Sequence, residues 1–304
     1  MGKPARPIRV APPKAHAMHL AAAAYPLTWF NHFDDFAAHL GAWVDDAAAR
    51  GAQLLTFPEY GAMELASLGG RAVSENLEAA LHEAARWKPA VDAVHVELAA
   101  RHGVFILGAS GPVFTGPRPV NRATLYGPSG IVGHQDKQIM TRFERETWDV
   151  VAGTGLAPFD TDLGRIGVVI CYDSEFPLLA RNLVEAGAEI FLAPSCTDSL
   201  AGFTRVRVGS MARALENQCV VVHSPTVGLC DFCPAVDENV GAASIYGPPD
   251  RGFPPTGILA ETALNAPGWA IAEVSLDAIR EVRRDGGVLN HAHWPEQHDR
   301  IRLR

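Results

Sequence analysis

The chain has 304 residues, 48% of them hydrophobic and 20% charged, with a formal net charge of −8. This composition is typical of a globular protein. The acidic balance, without a long basic run, argues against nucleic acid as a partner. No stretch approaches the roughly 18 consecutive apolar residues of a membrane span. Five cysteines are an odd number in a chain too large to depend on disulfides, which favours a reduced, cytoplasmic protein.

The pattern along the chain predicts a single domain. Residues 1–14 are rich in proline and basic residues and predict a flexible leader. A secretory signal is the alternative, but His16, His19 and Pro26 interrupt its short apolar stretch. Residues 15–285 alternate between strand and helix patterns without a linker. Residues 286–304 are expected to form a C-terminal tail that can serve as an interface arm.

Apolar runs of strand length alternate with amphipathic segments in the first third of the chain. Met18–Ala24 predicts a strand, and Asn31 is expected to cap a helix that ends at Gly51. Gln53–Phe57 predicts a short buried strand that stops at Pro58.

The same alternation continues to the C-terminal region. Ser74 is expected to cap another helix, and Pro89 to begin a separate one that runs to Arg101. Residues 225–267 are rich in glycine and proline and predict mostly loop. The further strand predictions are Val104–Ala109, Ala123–Tyr126, Ile131–Gly133, Ile166–Ile170, Glu189–Ala193, Gln218–His223 and Trp269–Val274; the further helix predictions are Phe176–Ala186, Thr204–Glu216 and Leu276–Arg283. This order predicts an α/β layer protein.

Three residues with reactive side chains, Glu59, Lys137 and Cys171, follow predicted strands. Strand ends are where α/β sheets present reactive groups. A thiol is a weak nucleophile until it loses its proton, and a nearby cation such as Lys137 is expected to lower its pKa. Glu59 can accept that proton and return it to a leaving nitrogen, while Lys137 stabilises an oxyanion. Taken alone, each residue has an ordinary explanation: an inert core cysteine, a turn glutamate and a solvated lysine.

Several segments together resemble the nitrilase superfamily, in the order that this family shows. The resemblance covers residues 17–280. Its segments are Phe57-Pro58-Glu59-Tyr60, His134-Gln135-Asp136-Lys137, Glu144-Arg145 with Trp148, Val168-Val169-Ile170-Cys171-Tyr172-Asp173, Glu175-Phe176-Pro177, Ala193-Pro194-Ser195 and Ala212-Arg213-Ala214-Leu215-Glu216-Asn217. The resemblance implies a four-layer α-β-β-α sandwich and a homodimer or larger homo-oligomer. It also implies a Glu59, Lys137, Cys171 triad with Glu144 as a second active-site carboxylate.

Glu144 is expected to orient the substrate amide nitrogen or the attacking water; the alternative is an ion pair with Arg142 or Arg145. Other side chains lie on the same loops as the reactive groups and are expected to contact substrate. These are Tyr60, Trp148, Tyr172, Cys196 and Thr197. No metal or organic cofactor is required by this chemistry.

The residues around Cys171 favour a small amide as substrate. Nitrilases typically have Trp-Glu after the nucleophile, whereas this chain has Tyr172-Asp173, as in the amidase and carbamoylase branches. The segment Gln138–Phe143 differs from the corresponding segment of many amidases. This difference weakens the inference of any particular amidase substrate for this chain. Nitrile hydrolysis, N-carbamoyl hydrolysis and acyl transfer to an amine stay open. From another class, a catalytically silent scaffold is disfavoured because the triad is intact.

A Cys-x-x-C motif at Cys230 and Cys233, preceded by Cys219 and His223, has three interpretations. A structural zinc site needs four ligands, and the second pair here would lie within one strand. A redox pair is the second interpretation. Ordinary loop cysteines are the favoured one.

Overall fold

A computed structural model of the chain describes residues 17–301. The strands are β1 (Ala17–Ala24), β2 (Leu54–Thr56), β3 (Phe105–Leu107), β4 (Gly111–Phe114), β5 (Pro119–Gly127), β6 (Gly130–Asp136), β7 (Phe159–Thr161), β8 (Gly164–Val168), β9 (Ile190–Ser195), β10 (Val220–Pro225), β11 (Gly228–Leu229), β12 (Glu238–Asn239), β13 (Ser244–Tyr246), β14 (Ile258–Glu261) and β15 (Gly268–Ser275). The helices are α1 (Phe33–Ala49), α2 (Arg71–Ser74), α3 (Leu77–His102), α4 (Arg142–Glu146), α5 (Pro177–Glu185), α6 (Leu200–Asn217), α7 (Leu276–Asp285) and α8 (Asn290–His293). Three 3-10 helices span Gly61–Gly69, Cys171–Glu175 and Trp294–Asp299.

Two mixed sheets form the centre of the molecule. The first has the order β15-β1-β2-β3-β5-β4, with β6 paired to β5, and the second has the order β14-β13-β10-β9-β8-β7. Each contains three adjacent parallel strands, β1-β2-β3 and β8-β9-β10. β6 runs antiparallel to β5, which is itself antiparallel to β3, so β6 points the same way as β2 and β3. The carboxyl ends of β2, β3 and β6 therefore meet at one edge of the first sheet.

The layer order follows from which face each side chain of β1 occupies. Leu20, Ala22 and Ala24 pack against residues of the second sheet, including Val222. The alternate residues Ala21 and Ala23 pack against α1 and α3. Because a strand places successive side chains on opposite faces, an uninterrupted apolar strand indicates burial on both faces.

Helices cover the outer face of each sheet. α1 and α3 cover the first sheet through residues such as Leu40 and Leu98. α5 and α6 cover the second through residues such as Leu183 and Ala214. The molecule is therefore a four-layer α-β-β-α sandwich, as the resemblance implies. Each large apolar side chain buried in this way contributes about 1.5–3 kcal/mol of transfer free energy.

Two of the helix starts predicted from the sequence are wrong. His32 occupies the N-cap of α1, and Asn31 instead accepts a hydrogen bond from Trp29 Nε1 at 3.0 Å. α3 begins after Asn76, whose Oδ1 accepts a hydrogen bond from the backbone N–H of Ala79, and not after Ser74.

α3 also continues through Pro89, although a separate helix was expected to begin there. Proline in a helix interior removes one backbone hydrogen bond and costs about 3 kcal/mol. Buried apolar residues lie on both sides of the proline, with Leu81 and Ala84 before it and Val91 and Leu98 after it. Their packing holds the helix together across the proline.

The region expected to be mostly loop, residues 225–267, also contains short strands. β13 and β14 extend the second sheet beyond β10, and β11 pairs with β12 in a separate hairpin. Alternating patterns of two to four residues are too short to distinguish from loop in the sequence.

The described part of the tail packs against the domain. Gln218 lies at the end of α6, where its side-chain amide donates to Val288 O and its Oε1 accepts from the backbone N–H of His291. The Arg181 guanidinium lies over the Trp294 ring at 5.0 Å. A role as an interface arm stays a prediction, and the predicted leader, residues 1–14, lies outside the described residues. Within residues 17–301, none of the helices combines the length and apolar composition that crossing a membrane requires.

Candidate active site

The reactive residues predicted from the sequence come together at the carboxyl ends of strands from both sheets. Glu59 follows β2 and Lys137 follows β6, both in the first sheet. Cys171 follows β8 and Cys196 follows β9, both in the second sheet. The cluster therefore lies at the end of the sandwich where the carboxyl ends of strands from both sheets come together.

Lys137 is the centre of this cluster. Its ammonium donates to Glu59 Oε1 at 2.8 Å and to Glu144 Oε2 at 2.6 Å. Only 1% of the lysine is exposed. Burial favours the neutral amine, but attraction to Glu59 and Glu144 outweighs it and raises the pKa of Lys137 well above its ordinary value. The lysine is therefore a fixed positive charge with one of its three N–H bonds not used by these carboxylates.

Glu59 is buried and bonded through both oxygens. Oε1 also accepts a hydrogen bond from Asn121 Nδ2, and Oε2 accepts one from the backbone N–H of Cys196, each at 3.0 Å. Burial raises the pKa of Glu59 to about 7, although Lys137 acts in the opposite direction. A carboxyl group that titrates near neutral pH can both accept and donate a proton.

Cys171 lies in a strained turn beside this carboxylate. Its φ is +50°, in the left-handed region that non-glycine residues rarely adopt. The thiol is 3.9 Å from Cys196 O and also interacts with Glu59. Strain of this kind costs on the order of 1–3 kcal/mol and is concentrated at functional sites.

The thiol pKa differs from the prediction. Burial and the negative charge of Glu59 raise the pKa of Cys171 well above its ordinary value, and the opposing effect of Lys137 is smaller. The prediction of a lowered thiol pKa is therefore wrong, because it considered the cation without the burial. The proton stays on sulfur until a base removes it.

Glu144 is held by its own helix and by Lys137. Thr141 caps α4 in a capping box, and its backbone N–H and hydroxyl both donate to Glu144 Oε2 at 2.8 Å. The Tyr60 hydroxyl donates to Glu144 Oε1 at 2.8 Å. Attraction to Lys137 lowers the pKa of Glu144 below its ordinary value, although burial alone would raise it.

The alternative ion pair for Glu144 is not formed. Arg142 pairs with Glu146 at 2.9 Å on the exposed side of α4. Arg145 Nε donates to the backbone carbonyl of Met140 at 2.8 Å. Glu144 therefore points inward while the two arginines point away from it.

The residues expected to contact substrate fall into two groups. Tyr60 and Trp148 adjoin the cluster, because Tyr60 bonds to Glu144 and its ring lies 4.8 Å from the Trp148 ring. Cys196 adjoins it through its backbone. Tyr172 and Thr197 have other partners: the Tyr172 ring packs on Phe176, and the Thr197 hydroxyl donates to Val240 O at 2.8 Å.

Two residues of the cluster were not assigned a role from the sequence. Asn121 is a fully buried amide within β5 whose side chain bonds to Glu59. A polar residue inside an apolar strand is a signal for such a role. Asp173 is also fully buried, and its carboxylate accepts backbone hydrogen bonds from Gln138, Ile139 and Ile170. Burial raises the pKa of Asp173 to about 6.

Cys230 and Cys233 are buried free thiols beside the cluster rather than in it. They belong to one apolar cluster with Phe232, Tyr60 and Trp148. Burial raises the pKa of both thiols, to about 12 for Cys230 and about 11 for Cys233. Within residues 17–301, no group of three or more His, Cys, Asp or Glu side chains is arranged to hold a metal ion.

Comparison with known proteins shows the family to which the chain belongs. The model of the carbon–nitrogen hydrolase family matches residues 19–284. The chain belongs to this family. Its fold is shared by Nit3 of Saccharomyces cerevisiae, a member of the nitrilase superfamily, with a TM-score of 0.69, 18% identity and coverage of 89% of this chain and 94% of that one.

Two curated relatives and one solved structure illustrate the similarity. The probable hydrolase YhcX of Bacillus subtilis is 33% identical over 275 residues, which is 90% of this chain and 53% of that protein. The chain thus spans about half the length of YhcX. A deaminated glutathione amidase of Synechocystis is 29% identical over 268 residues, 82% of this chain and 89% of that protein. The amidase of Nesterenkonia sp. AN1 shares the fold, with a TM-score of 0.68, 20% identity and coverage of 91% and 97%.

Proposed function

We propose that this carbon–nitrogen hydrolase cleaves the non-peptide carbon–nitrogen bond of a small amide through a thioester on Cys171. The observation that carries the proposal is a buried lysine bonded to two buried carboxylates beside a buried thiol. Keeping these charges out of water costs several kcal/mol per ion. A structural role would be served as well by apolar residues, so the cost favours a chemical role.

Acylation begins with the removal of the thiol proton. Cys171 Sγ attacks the amide carbon while Glu59 takes the proton from sulfur, and a carbon–sulfur bond forms. The remaining N–H of Lys137 and the backbone N–H of Tyr172 stabilise the oxyanion. When the intermediate collapses, the carbon–nitrogen bond breaks and Glu59 gives its proton to the nitrogen. Ammonia or an amine leaves, and a thioester remains.

Deacylation repeats the same proton transfers with water. Glu59 takes a proton from water as the oxygen attacks the thioester carbon. The carbon–sulfur bond breaks, the carboxylic acid is released, and the proton returns to Cys171. The pKa of Glu59, about 7, suits a residue that must act as base and acid in one cycle.

Glu144 supports Lys137 in this scheme. Its Oε2 already accepts bonds from Lys137 and Thr141, and its Oε1 accepts one from Tyr60. It keeps the ammonium charged and oriented, and the free lone pair of Oε1 is left to orient the substrate amide nitrogen or the water.

The substrate is sought first among small amides. The Synechocystis relative is named a deaminated glutathione amidase, and a mutant of the Nesterenkonia amidase was solved with the acetamide moiety of fluoroacetamide at its active-site cysteine. A panel of short aliphatic amides, dicarboxylate mono-amides, N-carbamoyl compounds and deaminated glutathione covers these cases. The panel also includes nitriles and an added amine acceptor. Hydrolysis releases a carboxylic acid and ammonia, whereas acyl transfer to the amine gives a new amide, so the products distinguish the two reactions.

The decisive experiment removes the nucleophile. Cys171→Ala is expected to lower ammonia release from the best amide by about 10⁴-fold or more. The matched control is Cys219→Ala, which removes a buried thiol that donates to Arg213 O and is expected to keep activity within about threefold. Fluoroacetamide labelling followed by mass spectrometry is expected to modify Cys171. Equal activity in Cys171→Ala and the wild type contradicts the proposal.

Two further properties stay predictions. A homodimer or larger assembly is expected from the resemblance, and sedimentation velocity measures it. A cytoplasmic location is expected from the cysteine content, and cell fractionation tests it.

A further inference from the structure

Two kinds of contact hold the active-site loops together. The core between the sheets is apolar, and apolar contacts have no preferred direction. They fix the spacing of the sheets, and hydrogen bonds, which depend on angle as well as distance, add a directional constraint. Lys137 and Cys171 follow strands of different sheets, so their relative position depends on directional contacts between the loops.

Asp173 supplies such contacts from the turn that contains Cys171. Oδ1 accepts a hydrogen bond from the backbone N–H of Ile139 at 2.8 Å, and the Gln138 N–H lies 3.2 Å from Oδ1 and 3.1 Å from Oδ2. These two residues directly follow Lys137. On the other side, Oδ2 accepts a bond from the backbone N–H of Ile170 at 3.2 Å, the residue directly before Cys171.

The carboxylate therefore connects the residues that flank the cation with the residue that precedes the nucleophile. Asp173 is fully buried, so its carboxylate is shielded from solvent. The turn is also packed from behind, because a Cβ on Gly209 of α6 would lie 2.9 Å from Ser174 O. The turn holds Cys171 at φ +50°, a conformation that persists only where surrounding contacts over-determine it.

We propose that Asp173 is a positioning residue that sets the distance between the Cys171 thiol and the Lys137 ammonium across the junction of the two sheets. It touches neither substrate nor the reacting atoms. A displacement of about 1 Å in reacting groups can cost about 100-fold in rate. The expected effect of Asp173 on the rate of catalysis rests on the proposed function. Its effect on the reactivity of the Cys171 thiol is measurable without a substrate.

Asp173→Asn tests the proposal, because it keeps the size of the side chain and replaces one acceptor oxygen with an NH₂ group that faces backbone N–H donors. The expected result is a fall in kcat of about 100-fold per folded active site, with KM within about threefold. The matched control is Asp136→Asn, which removes a carboxylate adjacent to Lys137 that pairs instead with Arg122. It is expected to keep kcat within about threefold.

A second measurement follows the rate at which iodoacetamide alkylates Cys171, by mass spectrometry. Asp173→Asn is expected to change this rate by about tenfold or more, while Asp136→Asn leaves it close to the wild type. A purely structural role predicts a lower melting temperature and fewer folded molecules, with unchanged kcat and alkylation rate per folded site. That outcome overturns the proposal. Inactivity of the wild type on every amide would contradict the proposed function and leave the alkylation test of Asp173 intact.

Discussion

Two buried glutamates in the same short segment, Glu59 and Glu64, are compensated in different ways. Glu59 accepts hydrogen bonds from Lys137, Asn121 and the Cys196 backbone. Glu64 accepts them from the Tyr25 hydroxyl at 2.9 Å and the Thr28 backbone at 3.2 Å, and no cation among residues 17–301 pairs with it. Burial is the main cause that raises the pKa of each, to about 7 for Glu59 and about 8 for Glu64.

The difference shows what Lys137 contributes. Both carboxyl groups lose hydration. Glu64, beside which no cation lies within residues 17–301, stays mostly protonated at neutral pH because its pKa is about 8. The nearby ammonium keeps Glu59 available as a base, even though the Glu144 charge acts against this. Under the proposed function, Glu64 is a structural buried carboxyl group and Glu59 a catalytic one.

Replacing each glutamate with glutamine separates the two roles most clearly. Glu59→Gln is expected to lower kcat/KM for ammonia release by about 10³-fold, because the amide cannot accept the thiol proton. Glu64→Gln is expected to stay within about threefold of the wild type. If both variants lose activity equally, the segment acts as one structural unit and the comparison is wrong.

Removing the cation tests the charge balance of the cluster. Lys137→Met leaves Glu59 and Glu144 buried without a positive charge, which is expected to destabilise the fold by about 3 kcal/mol. Urea denaturation measures this free energy. Adding Glu144→Gln to that variant is expected to recover part of the stability without recovering activity. Lys88→Met, which removes a partly exposed ion pair with Asp92, serves as the control and is expected to cost about 1 kcal/mol or less. An equal loss in both lysine variants contradicts a special role for Lys137.

The pH dependence of the rate gives the smallest effect. Glu59 must be ionised to take the thiol proton, and its pKa is raised to about 7. As pH falls through 7 the base becomes protonated, so kcat/KM is expected to fall about tenfold per unit below that value and to level off above it. Glu64→Gln is expected to leave the midpoint unchanged. Initial rates from about pH 5 to pH 8 measure it, and a flat profile contradicts the assignment of Glu59 as the base.

The sequence predicts the positions of the cluster better than its electrostatics. Glu59, Lys137 and Cys171 stand where apolar strands end, and Lys137 and Cys171 follow strands of different sheets that pack face to face. The thiol pKa was predicted in the wrong direction because burial and the nearby Glu59 charge are properties of the folded protein. A lysine that is expected beside a thiol from the sequence alone says nothing about how deeply either group is buried.

Contacts made by the backbone could not be predicted. The N–H and carbonyl of Cys196 contact Glu59 and Cys171, and any residue other than proline would offer the same N–H. Asn121 carried a usable signal, since a buried amide requires partners. Pro89 was misleading because the local cost of a proline was outweighed by packing on both sides of it.

The pairing of β1 with β15, the first and last strands within residues 17–301, has a consequence for synthesis. β1 lies against β15 over its whole length, from Ala17 opposite Ser275 to Ala24 opposite Gly268. While the chain emerges from the ribosome, one edge of β1 waits without its partner until nearly all of the domain has been made. An unpaired apolar edge invites association with other chains, so a nascent chain stalled before residue 268 is the form most exposed to aggregation and most in need of a chaperone.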